Sequence, residues 1–504
     1  MKRRELAFAA VLLGLTGCAV GPNYKRPAAP MSPAFKEQTG QVSVPGSDWK
    51  PAEPKDTQIR GNWWEIFADA ELNALESQID VSNQNIAQAA AQFAGARAAI
   101  RGARADFYPT INVDGSVTRA HTTATATAPA HTGTIYTASA DASYEVDVWG
   151  RIRRSVESSV ATAQASAADL ETVRLSMHAE LAIDYFQLRS LDVEKQLLET
   201  NVEAYEKALQ LTINRYNQGV VSGIDVAQAQ TQLENTRAQS TDLGVSRAAL
   251  EHAIATLIGK TPAHFAIERV ATVTPVPAIP FGLPSDLLER RPDVAGAERR
   301  MAAANAQIGV AVSAYFPKLL LAAVGGYGSS SVSNWFSLPN RFWSVGPELA
   351  ALLFDGGKRR SVTEQAVAAY DASVAVYRLQ VLTALQDVED NLAALRILGQ
   401  EAQEQAAATA AAERAVVLAQ NRYSAGITTY LEVITAQAVA LTAERTAIDI
   451  QSRRLTAAVS LVKGLGGGWS DANLPYGAPP PAPTTTVEST GGAPAASAAP
   501  EKPL

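Results

Sequence analysis

Five histidines stand at positions 121, 131, 178, 252 and 264 of this 504-residue chain, and their spacing offers little chemistry. None stands at metal-ligand spacing with the single cysteine, Cys18, and no HExxH pair occurs. His121 and His131 bracket HTTATATAPAH, a Thr/Ala-rich stretch that reads as an exposed loop rather than a metal site. The run Gly466 to Gly468 lacks the Lys-Ser/Thr that follows the glycines of a phosphate-binding loop. There is no nucleophile elbow, so no enzyme, metal or cofactor is expected. What remains is a pair of carboxylates beside glycine turns. Ser222-x-x-Asp225 and Thr429-x-x-Glu432 each place an acid three residues after a hydroxyl, the spacing of a capping box at the positive end of a helix.

Those two carboxylates sit inside one phrase written twice. NRYNQGVVSGIDVAQAQ occupies 214–230 and NRYSAGITTYLEVITAQ occupies 421–437. Asn214, Arg215, Tyr216, Gly219, Val226, Ala229 and Gln230 recur as Asn421, Arg422, Tyr423, Gly426, Val433, Ala436 and Gln437, always 207 positions on. The simplest reading is a duplication. It extends further, with Tyr108-Pro109 against Phe316-Pro317, and VWGRIRR at 148–154 against FDGGKRR at 354–360, Gly150 facing Gly356. Gly219 and Gly223 then break one helix pair at its tip, and Gly426 the other.

The elements that carry these tips are long helices. From Gly150 to the motif at 214 there is no Pro and no further Gly, and 358–421 holds one Gly, at 399. About 60 helical residues reach roughly 90 Å. Val156, Val160, Ala163, Ala167 and Leu170, and likewise Val374, Tyr377, Val381, Ala384 and Val388, alternate spacings of four and three, which is coiled-coil packing. Between the helices lie β-like stretches. Tyr136, Ala138, Ala140, Ala142, Tyr144, Val146 and Val148 alternate with polar residues, as do Ile111, Val113 and Val117. Four strands are expected, about 108–120, 134–148, 317–331 and 341–354, the last two by repeat analogy. Such strands suit either a half-buried hairpin or a membrane barrel with one apolar face. Four cannot close a barrel, whose smallest forms have about eight. Three copies would supply twelve, and the pattern alone equally allows two or four.

The ends give a compartment. Residues 1–17 read as a signal peptide, with Lys2, Arg3 and Arg4 before an apolar run from Leu6 to Leu15. Leu15-Thr16-Gly17-Cys18 resembles a lipobox, so Cys18 is the expected lipidation site, and Ala19 after it favours the outer membrane. Residues 18–60 read as an extended arm, 61–265 and 266–469 as the two repeats, and 470–504 as a disordered Pro/Ala-rich tail. No later run is apolar enough for a spanning helix. With 18% charged residues and a net charge of −7, nucleic acid is not an expected partner. WWEIFADAELNALESQI reads as a helix burying Trp63, Trp64, Phe67, Leu72, Leu75 and Ile79.

With LTGCAVGPNYKRP, WWEIFAD, YEVDVWGRIRRSVE, LLERRPDVAGAERRMAAANAQIGVAVSAYFPKL, LFDGGKRR and the two NRYxxG phrases in order over 15–470, the chain resembles the TolC-like outer-membrane efflux lipoproteins of resistance-nodulation-division pumps. The resemblance implies a mixed α and β membrane protein: a homotrimer with a 12-stranded transmembrane β-barrel, continued by a periplasmic α-helical coiled-coil barrel with an equatorial collar. It implies an outer-membrane exit duct that does no chemistry. Drugs and other small molecules would reach it from an inner-membrane transporter through a periplasmic adaptor. By position, Asp225 and Glu432 would ring the periplasmic aperture, Tyr423 would help hold it shut through hydrogen bonds, and Arg215 and Arg422 would partner the carboxylates. A further acidic position of some relatives is Thr435 here, so one charge layer is missing. Two alternatives share parts of this pattern: the duct of a protein-secretion system, and a coiled-coil scaffold lipoprotein that never spans a membrane.

Overall fold

The computed structural model describes residues 19–29, 32, 34–37, 62–124, 129–279 and 290–468. Cys18 with its signal peptide, most of the arm (from residue 38 on) and the expected tail lie outside the described residues. A 3-10 turn (Trp63–Phe67) leads into α1 (Ala70–Ser82) and α2 (Gln84–Ala105), followed by β1 (Thr110–Thr122) and β2 (His131–Val146). Then come α3 (Arg151–Asn217), α4 (Gly223–Leu257), α5 (Pro292–Ser313), β3 (Lys318–Ser329), β4 (Arg341–Ala350), α6 (Lys358–Ser424) and α7 (Tyr430–Gly464). Both α3 and α6 have 67 residues, and both α4 and α7 have 35. Each pair is displaced by the same 207 positions as the NRY phrases, so the duplication is structural. At 1.5 Å per residue the two long helices reach roughly 100 Å. Among the described residues no helix is long and apolar enough to cross a membrane.

The helix starts correct one expected pairing. Gly150 (φ 80°) caps α3 and Gly357 (φ 92°) caps α6, so Gly150 corresponds to Gly357 rather than Gly356. A second correction concerns the opening segment. All six apolar residues expected to be buried are buried, but the helix is interrupted at Ala68, whose φ of 52° separates the 3-10 turn from α1.

The four strands form one antiparallel sheet in the order β1-β2-β3-β4. Their limits differ from expectation by a few residues. β1 starts at Thr110, because Phe107 and Tyr108 still turn back on the end of α2 and Pro109 has no N–H to offer a ladder. β2 begins earlier, at His131, where the hairpin loop proves shorter, and ends at Val146. β3 is trimmed to 318–329, and β4 leaves the ladder at Ala350, well before Phe354. Register aligns Val113, Ala140, Gly325 and Trp343 in one row, and Ile111, Ala142, Ala323 and Val345 in the next. With period-2 alternation, one face of the whole sheet is apolar. The other carries Asn112, Asp114 and Ser116 beside Asp141, Ser139 and Thr137, and Asn112 Nδ2 donates to Asp141 Oδ2 at 3.1 Å. Gly326 is required where β2 and β3 meet, since a Cβ there would run into the Ala138 carbonyl.

Halfway along the long helices the shorter pieces wrap a common core. Trp63, Trp64, Phe67, Leu72 and Ile79 pack on Leu181, Tyr185 and Phe186 of α3 and on Val459 and Val462 of α7. The N-terminal arm crosses one side of the helical layer. Arg154 of α3 donates to the carbonyls of Val20 and Gly21 and to Asn23, and Tyr24 donates to Glu298 of α5. Phe35 is buried beside Val294, Met301 and Tyr377, so the arm ties α3, α5 and α6 together.

Candidate functional site at the hairpin tips

At the end of α3, Gly219 (φ 73°) lets its own N–H reach the Tyr216 carbonyl at 2.9 Å, and the Val220 N–H reaches the Arg215 carbonyl at 2.9 Å. Gly426 (φ 76°) repeats this after α6, with Gly426 N–H to Tyr423 O at 3.0 Å and Ile427 N–H to Arg422 O at 2.9 Å. Both are Schellman turns, whose left-handed residue is glycine because a Cβ would be strained there. Gly223 plays another part: it is the first residue of α4 and does not break a helix.

The two acids then diverge. Asp225 completes a capping box, its Oδ2 accepting both the N–H and the Oγ–H of Ser222 at 2.9 Å. The matching box at Thr429 does not form, since among the described residues the Glu432 carboxylate makes no hydrogen bond back to Thr429. Glu432 turns instead toward Arg422, 3.7 Å away and comparably exposed. Such a pair contributes about 0–1 kcal/mol.

Among the described residues Arg215 has no carboxylate partner. Its Nη1 donates to the Tyr423 carbonyl at 3.0 Å, and its guanidinium lies 4.6 Å from the Tyr423 ring centroid. One hairpin thereby holds the last turn of the other, a cation at the negative end of a helix. The hydroxyl of Tyr423 has no hydrogen-bond partner among the described residues, so the residue acts here through its ring and carbonyl. That ring packs on Tyr430 at 5.1 Å, within a small core that includes Ala229 and Val433. An open groove of about 570 Å³ runs alongside between α6 and α7, lined by Leu418, Arg422, Leu431, Glu432, Thr435 and Val439. Val220, Ile224 and Ile427 are exposed at the tips. The turns were legible in the sequence, but the Arg215–Tyr423 contact, which joins residues 208 apart, was not.

A second ionisable site lies in the collar, and spacing gave no sign of it. Glu76 of α1 is fully buried, with Oε2 2.6 Å from His178 Nδ1 and Oε1 without a hydrogen-bond partner among the described residues. His178 stacks on Trp64 at 4.4 Å, and Asp80 Oδ1 lies 3.5 Å from its other nitrogen. Burial pushes the Glu76 carboxyl up from 4.5 to about 7, against the opposing pull of His178. A raised carboxyl pKa favours the protonated folded state. Its contribution is therefore complete below about 4.5 and is lost as pH rises through about 7. Thermal melting between those limits should show the collar weakening with rising pH, by up to about 3 kcal/mol, and Glu76→Gln should flatten that dependence. A Gln variant with the wild-type slope would put the titration elsewhere.

A sheet with one apolar face, mounted on helices far longer than any globular core requires, defines a channel that stands in a membrane and reaches well beyond it. The outer membrane efflux protein family matches residues 75–260 and 283–467, one segment for each repeat. The toluene efflux pump outer membrane protein TtgF of Pseudomonas putida is 30% identical over 94% of this chain and 98% of its own length. The pyoverdine export outer membrane protein OpmQ of Pseudomonas aeruginosa is 30% identical over 93% and 99%. Among solved structures, the outer-membrane channel OprN superposes with a TM-score of 0.79 at 30% identity, over 90% of this chain and 100% of that one. The chain belongs to the outer membrane efflux protein family. It is an outer-membrane efflux channel that extends into the periplasm, and its family is one of transport proteins.

Proposed function

We propose that three copies of this chain close a twelve-stranded barrel and a helical tunnel beneath it. The tunnel would dock through a periplasmic adaptor onto a resistance-nodulation-division transporter and conduct small molecules outward. The carrying observation is the pair of sheet edges: β1 and β4 each have a neighbour on one side only, which hydrocarbon does not tolerate. Two copies would make eight strands, a width that side chains fill, whereas twelve leave a lumen. The tips support the same reading. Tyr423 is 7% exposed under Arg215, while its repeat counterpart Tyr216 is 51% exposed. A neighbouring copy offering Arg422 to Tyr216 would restore the symmetry. Energy comes from the transporter, and the duct itself performs no reaction.

Cargo does not follow from identity, because relatives named for toluene and for pyoverdine are equally similar to this chain. The apolar tips and the groove between α6 and α7 are the surfaces that suit a helical adaptor. Cys18 would carry the lipid anchor. The test is cross-linking in intact cells followed by pull-down. Recovery of an adaptor and a resistance-nodulation-division transporter is expected; an ATP-driven secretion transporter would change the cargo to proteins, and neither would overturn the reading.

Asp225 and Glu432 would line the aperture, with capping as the additional role of Asp225. Replacing both by Ala should raise the single-channel conductance of the purified duct. Unchanged conductance with the fold intact would leave Asp225 as a helix cap and Glu432 as a surface ion-pair partner.

A further inference from the structure

Just beneath the sheet, α2 presents three different sides. Ile86, Ala89, Phe93, Ala96, Ile100 and Ala103 are its less exposed residues and face α3, its main packing partner. Ala91, Gly95, Ala98 and Gly102 make a smooth strip roughly opposite, suited to close approach of another helix. Arg97, Arg101 and Arg104 follow one another at four and three residues, so they form a single stripe about a quarter-turn from the α3 side. The arm lies on Gly150 and Arg154 of α3 and on Gly309 of α5, and with Cys18 as its expected lipid anchor we take this as the outer side of the layer. The right-handed winding of α2, which runs toward the sheet while α3 runs away from it, places the arginine stripe on that same outer side.

All three arginines are exposed. Four other arginines near this level are paired: Arg151 with Glu145, Arg153 with Asp147, Arg359 with Asp355, and Arg360 with Glu364. Among the described residues, Arg101 and Arg104 have no acidic partner, and Arg97 lies only over the Phe93 ring, at 5.7 Å. The stripe ends six residues before β1, below exposed Tyr108 and Ile111 where the apolar face of the sheet begins.

We propose that Arg97, Arg101 and Arg104 bind the phosphate headgroups of anionic phospholipids in the leaflet of the outer membrane that faces the periplasm. The headgroup layer is about 5–7 Å deep on each side of the hydrocarbon, and the stripe spans about 10 Å along the helix. Long arginine side chains reach up into such a layer, and the guanidinium fork matches a phosphate. Unpaired positive charge at the edge of an apolar band complements this surface. A second copy of the chain instead suits the Ala/Gly strip. The contact would fix the depth and rotation of the barrel.

The experiment titrates the purified full-length protein in detergent with phosphatidylglycerol or phosphatidylcholine of identical chains, counting bound lipids by native mass spectrometry. A preference of about tenfold for phosphatidylglycerol is expected. The combined Arg97→Gln, Arg101→Gln and Arg104→Gln variant should bind the two lipids equally, while the three Arg→Lys changes should keep most of the preference. Gln is a good helix former on an exposed face, and the single Gln variants, each expected to lose part of the preference, supply the test if the triple variant misfolds. Excess inorganic phosphate should leave phosphatidylglycerol bound. An undiminished preference in the Gln variants, no preference in the wild type, or displacement by inorganic phosphate would each overturn the proposal, the last in favour of a free-anion site.

Discussion

Val117→Arg should remove the protein from the outer membrane as a heat-resistant assembly, whereas Ser116→Arg should leave it there with altered conductance. The two positions are adjacent and near the middle of β1, yet they point to opposite faces. Val117 pairs with Tyr136 on the apolar face and Ser116 with Thr137 on the polar one. A lipid-facing Arg at mid-depth costs about 2–4 kcal/mol per chain, and the assembly repeats that cost in every copy. A lumen-facing Arg stays hydrated and adds a ring of positive charge to the passage. Fractionation and gel migration of the two variants read the difference. Equal behaviour would mean that the apolar face is not the lipid face.

Asp192→Ala should destabilise the collar by about 3–5 kcal/mol, the range for breaking a buried ion pair from one side. Asp192 is fully buried in α3. Its Oδ1 accepts from Arg247 Nε at 2.7 Å, and its Oδ2 from Arg189 Nη1 at 3.2 Å and from the Val270 N–H at 3.3 Å. Arg189 also donates to the Glu268 carbonyl and to Glu71 of α1, and Arg247 to the Ile267 carbonyl. The carboxylate thus joins α1, α3, α4 and the segment after α4. Its loss leaves two guanidinium groups drawn into a low-dielectric site with only carbonyls and outer acids for partners. Asp192→Asn keeps some of the hydrogen bonds and should fall between. Chemical melts followed by circular dichroism measure both, and a shift in Asp192→Ala under 1 kcal/mol would mean that the network is dispensable.

The parts that were legible in the sequence are those governed by local period. The absence of Pro and Gly marked the long helices, and the alternation around Tyr136 and Ile111 marked β1 and β2. β3 was obscure because Leu320, Ala322 and Val324 make its second face apolar as well, so only its pairing with β2 identifies it. The break at Ala68 was hidden because the apolar residues on both sides of it belong to one core. At the tips, glycine gave the turns away, since few other residues adopt a positive φ. The roles of the side chains there were not legible. Ser222 and Thr429 have the same spacing to an acid, but Arg422 lies within reach of Glu432, and among the described residues no ion pair involves Asp225. Arg215 finds Tyr423, and Asp192 finds Arg247, only after the helices have packed.

The most direct test of the closed barrel is the stoichiometry of the purified protein, measured by native mass spectrometry after release from detergent. Three chains are expected, with no stable population of one or two. A stable monomer would contradict it, because a four-stranded sheet with two open edges would then have to survive alone in a membrane.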